Sequence, residues 1–285
     1  MLNLTITRSP AVLPSPETDR NVEVWRDLEG TICAYGQIIG EERWMHLPGV
    51  ASFRLARHDR EPSVAFTNTA EDALVREAYH RRVLPMALHL IGKEVMHASG
   101  VRSDTGVIAF CGPSQTGKST IACGFRQRGY ALWADDAVAF GVSFNGARTS
   151  PLPFEMRLRT SAASLLGGCC SGDQSRKAVQ ENSKRKSAPL RAVCVLRRND
   201  NDATTVSIKQ LFSSDALEAV LPHAWCFTLQ DVQRKRRMMS TYLELVAKTA
   251  ILDVCFRPGL ENLPAILDAI ESQLKRITSS NGSGR

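Results

Sequence analysis

The sequence predicts an α/β protein, a strand–loop–helix core domain preceded by a small β-rich region. Three observations carry this. The continuous apolar run Val107-Ile108-Ala109-Phe110, of the kind a fully buried strand needs, leads straight into a glycine-rich loop. A helical stretch, Ser119 to Arg128, and a second apolar run, Tyr130 to Ala134, follow that loop. The first 95 or so residues read differently, with short alternating stretches separated by turn residues.

In chain order, Thr31 to Tyr35 and Ala51 to Leu55 alternate apolar and polar residues and predict short antiparallel strands. Glu71 to Gly92 carries apolar residues at helical spacing. Pro85 interrupts the run and Gly92 marks its end, so two helical pieces are expected. From Lys93 the pattern becomes strand, turn, helix, strand, with Ser103-Asp104-Thr105-Gly106 as a hairpin turn between a strand carrying His97 and the Val107 strand. Gly129 stands where a helix ending at Arg128 needs a glycine. The next strand stops at Asp135-Asp136. Gly167 to Pro189 is poor in apolar residues and rich in Gly, Ser and charge, which predicts a mobile loop. A strand at Ala192 to Leu196 and helices at about 213–221, 230–250 and 262–277 complete the expectation. The division that follows is a β-rich region over residues 1–92, a catalytic-type domain over 93–278 and a flexible tail over 279–285.

At 285 residues, 43% hydrophobic and 23% charged, the chain has the ordinary composition of a soluble protein and enough interior for two modest domains or one with a large extension. No apolar run approaches the roughly 18 residues that span a bilayer, and the N-terminus shows no secretory pattern, so a cytoplasmic protein is expected, with no membrane partner. The eight cysteines include no CxxC pair, which argues against a zinc site and a disulfide framework. Much of the net charge of +7 lies in Arg176 to Arg198 and Arg234 to Arg237. These basic clusters lack interleaved aromatics, so a local anion-handling role is expected rather than nucleic-acid binding.

The loop itself reads Gly112-Pro113-Ser114-Gln115-Thr116-Gly117-Lys118-Ser119-Thr120, a complete GxxxxGK[ST] P-loop between a strand and a helix. Glycines at 112 and 117 allow the turns that aim backbone N–H groups at phosphate oxygens, and the helix adds its positive N-terminal end. Lys118 is expected to reach the β- and γ-phosphates of ATP, and Ser119 to ligate Mg²⁺. Asp135 and Asp136 fall at a strand end facing the ligand crevice, where one carboxylate can serve metal or water and the other accept the proton of an attacking hydroxyl; a solvated turn or helix cap is the plainer reading.

His97-Ala98-Ser99-Gly100, then GPSQTGKST, then Arg128-Gly129 and Ala134-Asp135-Asp136 resemble, in order and spacing, the core of the HPr serine kinase/phosphorylase family. The resemblance covers residues 93–160 well and 185–275 loosely. It implies an HPr-kinase-like (PEP-carboxykinase-like) P-loop fold and ATP- and Mg²⁺-dependent transfer to a serine hydroxyl. It implies that His97 lies near the transferred phosphoryl group, that Lys118 clamps it and that Asp136 is the general base, with Asp135 supporting Asp136 or the metal. Glu155, in Phe154-Glu155-Met156-Arg157, is implied as a second Mg²⁺ ligand, and self-association follows from likeness to a hexameric family. Three departures stand out: Gln115 replaces the usual mid-loop glycine with Pro113 beside it, Leu158 follows Arg157 where a glycine is usual, and residues 1–92 do not resemble the HPr-specific N-terminal domain.

The short chain with its β-rich N-terminal part is similar to the HPr-kinase-like enzymes of lasso-peptide clusters. That similarity implies a peptide or protein partner bearing an acceptor serine, at the C-terminus of a lasso-peptide precursor. The basic segment 168–191 and the run 234–237 would suit a peptide carboxylate or phosphates, or are simply solvated charge. The alternatives are a kinase of a small-molecule hydroxyl such as free serine, and an ATP-binding regulatory protein without transfer activity.

Overall fold

The computed structural model describes residues 6–8, 22–26, 29–40, 42–58, 61–68, 70–152, 186–199, 204–225 and 231–282. Two compact units emerge: Met1–Lys93 with Trp225–Arg236, and Glu94–Ala224 with Arg237–Arg285.

The first unit holds a six-stranded sheet of β1 (Ile6–Arg8), β2 (Glu23–Arg26), β3 (Ile32–Ile39), β4 (Glu42–Leu47), β5 (Ala51–His58) and β6 (Glu61–Asn68), ordered β1-β6-β5-β4-β3-β2. Strands β2 to β6 form an antiparallel meander, and β1 adds in parallel to β6. The antiparallel strands expected at 31–35 and 51–55 are therefore present, each longer than its sequence pattern. Gly36 is glycine for a packing reason, since a Cβ there would run into the indole of Trp25 on neighbouring β2.

Both expected helical pieces form, as α1 (Asp72–Ala78) and α2 (Leu84–Leu90), joined by a π-helical turn, Tyr79–Val83. The helical backbone continues through that turn, and Pro85, which lacks an N–H and crowds the turn before it, sits directly after the π-helical turn in the first turn of α2. Gly92 ends the run at φ +70.

The second unit is a mixed α/β domain. Its strands are β7 (Glu94–Met96), β8 (Ala98–Ser103), β9 (Gly106–Cys111), β10 (Ala131–Ala134), β11 (Val138–Ser143), β12 (Gly146–Ser150), β13 (Ala188–Arg198), β14 (Val206–Leu211) and β15 (Ala250–Phe256). Its helices are α3 (Lys118–Gln127), α4 (Ser213–Val220), α5 (Val232–Lys248), whose residues up to Arg236 cluster with the first unit, and α6 (Leu263–Gly282). The path runs β10-β8-β9-β13-β12-β11-β7, with β15 also on β13 and β14 on β15. Long β13 organises it: its start pairs antiparallel with β12, and its remainder pairs in parallel with both β9 and β15.

Side chains of β13 alternate between two cores, as the period of a strand requires. Ala192, Cys194 and Leu196 join α3 and α6 residues such as Phe125 and Leu267 on one side, while Val193 and Val195 join α4 and α5 residues such as Val220 and Tyr242 on the other. Burial on both sides explains the unbroken apolar run from Ala192 to Leu196. On the first side Gly124 lets α3 approach α6, because a Cβ would stand 2.8 Å from Leu267 Cδ1.

Several boundaries differ from the sequence reading. Helix α3 opens at Lys118, β13 already begins at Ala188 within the segment read as loop, and α6 runs past 279 to Gly282. Residues 167–185 lie outside the described residues. Strand β10 follows α3 in the chain yet pairs antiparallel with β8, so the parallel neighbour of β9 is the distant β13. Among the described residues, Cys111, Cys123 and Cys194 are buried and Cys33 and Cys255 partly buried, all outside any disulfide, and no helix is long and apolar enough to cross a membrane.

Candidate functional site

Strand β9 delivers the chain to the glycine-rich loop at Gly112, whose φ of +155 few other residues adopt and where a Cβ would stand 2.8 Å from the Leu196 carbonyl oxygen on β13. Gln115 follows at φ +69 and Gly117 at φ +109. Gln115 thus holds a left-handed backbone that a glycine would hold easily, at a strain of about 1–2 kcal/mol. The loop keeps its turn by internal bonds. The Thr116 N–H and hydroxyl both donate to Pro113 O, at 3.3 and 2.6 Å.

Lys118 folds back over the loop, its Nζ donating to the carbonyl oxygens of Gly112 and Pro113 at 3.0 and 3.0 Å. Burial lowers its pKa, opposed chiefly by Asp136 and then by Cys111 and Asp135. No side chain caps the start of α3 at Gly117, so first-turn N–H groups and the positive helix end remain for an anion. Pro113, Ser114 and Gln115 form the exposed crest, and Thr120 lies in the first turn behind Ser119.

Across from the helix start, buried Asp135 accepts two hydroxyl bonds on the same oxygen, from Ser99 at 2.6 Å and Ser119 at 2.8 Å. Neighbouring side chains of a strand normally face opposite ways. Strand β10 has already ended at Ala134, however, and Asp136 turns left-handed at φ +62, a conformation Asp tolerates better than most residues. Its charge then acts on Lys118 and His97.

His97 does not sit within a strand as expected. It is the break between β7, which pairs with β11, and β8, which pairs with β9 and β10. Its N–H, unused by either ladder, donates to the His223 carbonyl at 2.7 Å. Burial pulls the His97 pKa below the usual histidine value, Lys118 lowers it further, and Asp136 pushes the other way. His223, beside it, is lowered to about 4 by burial, Lys118 and His97.

The fold thus brings together the loop from Gly112 to Thr120 with Lys118, Asp135, Asp136 and His97. Glu155 lies outside the described residues, as does most of the basic segment 168–191. Three groups at the site escaped the sequence reading. Ser99 stood two residues after His97 in the same motif, but nothing in a lone serine announces a carboxylate partner. Arg198, whose Nε donates to the Thr116 carbonyl at 3.2 Å, stood only as the last residue of the basic stretch Arg176 to Arg198, and His223, in the turn after α4, carries no local mark.

Among the described residues no cluster of three or more His, Cys, Asp or Glu could hold a metal. The paired Ser119 hydroxyl and Asp135 carboxylate are nonetheless hard oxygen donors, the chemistry that suits Mg²⁺ when phosphate and water complete its shell.

Fold and loop together define a mixed α/β protein with a P-loop-type turn at the end of a central strand. No family model matches the sequence, and no curated protein does. Among solved structures the chain is similar to the Hpr(Ser) kinase/phosphatase from Coxiella burnetii, at 12% identity over 66% of this chain and 95% of that one, with a TM-score of 0.37.

Proposed function

We propose that the chain is an ATP- and Mg²⁺-dependent kinase that transfers the terminal phosphoryl group to a serine hydroxyl of a peptide or protein. The observation that carries this is the meeting, at the uncapped start of α3, of the Ser99–Asp135–Ser119 cluster with Asp136, Lys118 and His97. A nucleotide site alone needs the loop. A second carboxylate held in a left-handed turn beside the lysine is what transfer to a hydroxyl requires.

In this reading the loop amides and the first turn of α3 bind the phosphates. Two of the three Lys118 N–H groups already hold the loop carbonyls, leaving the third and the full charge for a phosphate oxygen. Ser119 and Asp135 would hold Mg²⁺, which when bound neutralises charge on the phosphates. Asp136 orients the acceptor hydroxyl and takes its proton. His97, kept neutral by burial, offers a hydrogen bond without adding positive charge. Glu155 as a further metal ligand rests on the sequence resemblance, which also makes the C-terminal serine of a lasso-peptide precursor the first acceptor to try.

The test is transfer of labelled phosphate from ATP into peptide and free-serine pools by wild type and Asp136→Asn. Asn also tolerates the left-handed turn, so the loop geometry stays. ATP binding retained with transfer abolished is expected. Labelled free serine instead of peptide would move the acceptor to small molecules, and ATP binding with no transfer to any acceptor would make the protein a nucleotide-binding regulator.

A further inference from the structure

Arg197 and Arg198 end β13 side by side, yet their environments differ. Arg197 is matched by a bidentate pair with Asp253. Arg198 pairs with no carboxylate among the described residues, and its guanidinium reaches across to the P-loop-type turn instead. Nε donates to Thr116 O at 3.2 Å, and Nη2 lies 4.0 Å from where a Cβ on Gly117 would stand.

That contact has a directional consequence. Among the described residues there is no cis peptide bond, so the Thr116 carbonyl and the Gly117 N–H point in opposite directions across one planar unit. A cation fixed on the carbonyl therefore fixes the N–H on the opposite side and polarises it. Gly117 cannot supply this restraint itself, since its φ of +109 belongs to a residue with no side chain to lock it. Lys118 treats the Gly112 and Pro113 carbonyls in the same way, so three carbonyls of the loop are held by two cations.

Resting on the nucleotide reading above, we propose that Arg198 is a positioning residue that preorganises the Thr116–Gly117 peptide, aiming the Gly117 amide at a phosphate of the bound nucleotide. The residue comes from the strand parallel to β9, so the site takes its rigidity from the sheet as well as from the loop. Gly112 makes the reach short, because only glycine allows the loop to leave β9 so close to Leu196.

The test measures ATP affinity by calorimetry on the full chain for wild type, Arg198→Met, Arg198→Lys and Lys118→Ala, with the Gly117 amide resonance followed in ¹⁵N-glycine-labelled protein without nucleotide. Arg198→Met should weaken ATP binding roughly 10-fold, the worth of one charge-assisted hydrogen bond at the low end of its range. It should also shift the Gly117 amide while leaving that of Gly129, at the far end of α3, in place. Arg198→Lys, which keeps a cationic donor for Thr116 O, should restore most of the affinity. Wild-type affinity in Arg198→Met overturns the assignment while the nucleotide site stands. So does equal weakness of the Met and Lys variants with a lowered melting temperature and no selective shift at Gly117, because that is lost packing. Wild type that is folded yet binds no ATP, or Lys118→Ala that binds as well as wild type, sinks the nucleotide reading itself and this inference with it.

Discussion

Ser99→Ala isolates one oxygen atom whose loss the structure converts into a number. Ser99 is fully buried, Asp135 nearly so at 6% exposed, and the serine hydroxyl donates to Asp135 Oδ1 at 2.6 Å. Removing it takes away one of the two hydroxyl donors to that oxygen, with the Ser119 hydroxyl remaining at 2.8 Å. A hydrogen bond to a charged group is worth about 1.5–3 kcal/mol. In a domain of this size that lowers the melting temperature by roughly 3–12 °C. The second consequence concerns Mg²⁺. In the proposed site Ser119 and Asp135 would hold the metal together, and the Ser99 hydroxyl would keep the carboxylate oriented toward it. Loss of such a supporting bond typically costs about 10- to 100-fold in metal affinity or activity. Thermal unfolding and a Mg²⁺ titration of ATP binding measure both effects. A Ser99→Ala protein within about 0.5 kcal/mol of wild type, with unchanged Mg²⁺ dependence, would refute the claim that this buried cluster supports the metal position.

Gly112→Ala should lower stability by about 1–3 kcal/mol and remove ATP binding, because the new Cβ meets the Leu196 carbonyl oxygen at 2.8 Å in a backbone conformation alanine resists; chemical denaturation and nucleotide titration check it. Stability should also fall on acidification. His223 titrates at about 4 in the folded chain and His89 at about 2, each lowered first by burial, while both titrate near 6.5 when unfolded. The unfolded state therefore binds more protons below pH 6.5, so stability present above that pH is lost as pH falls through the window down to about 4 for His223 and about 2 for His89, with a slope of at most about 1.4 kcal/mol per pH unit for each histidine. Denaturation midpoints of His223→Gln should show a shallower loss between pH 6.5 and 4 than wild type. Equal slopes would remove His223 from the account.

Much of this was legible in the sequence. The run from Val107 to Phe110 needed only its continuous hydrophobicity to be read as a doubly covered strand, and Gly112, Gly117 and Lys118 carry their conformational and charge requirements in their identities. The spacing from that loop to Asp135-Asp136 placed the carboxylates at a strand end. Local rules reach no further than local geometry, however. The left-handed turn at Asp136 that gathers two adjacent carboxylates is invisible in the letters, and so is the break between β7 and β8 at His97.

The sequence by itself determined the strand–loop–helix unit, because backbone sterics at glycine and the burial of an apolar run act over a few residues. Only the tertiary structure decided what surrounds it. Parallel pairing of β9 with β13, across about 80 residues of chain, sets Leu196 against Gly112 and Arg198 against Thr116, and antiparallel pairing of β10 with β8 sets Ser99 beside Asp135. Hydrogen bonds and charges depend on distance in space, and register between strands remote in sequence is what fixes that distance.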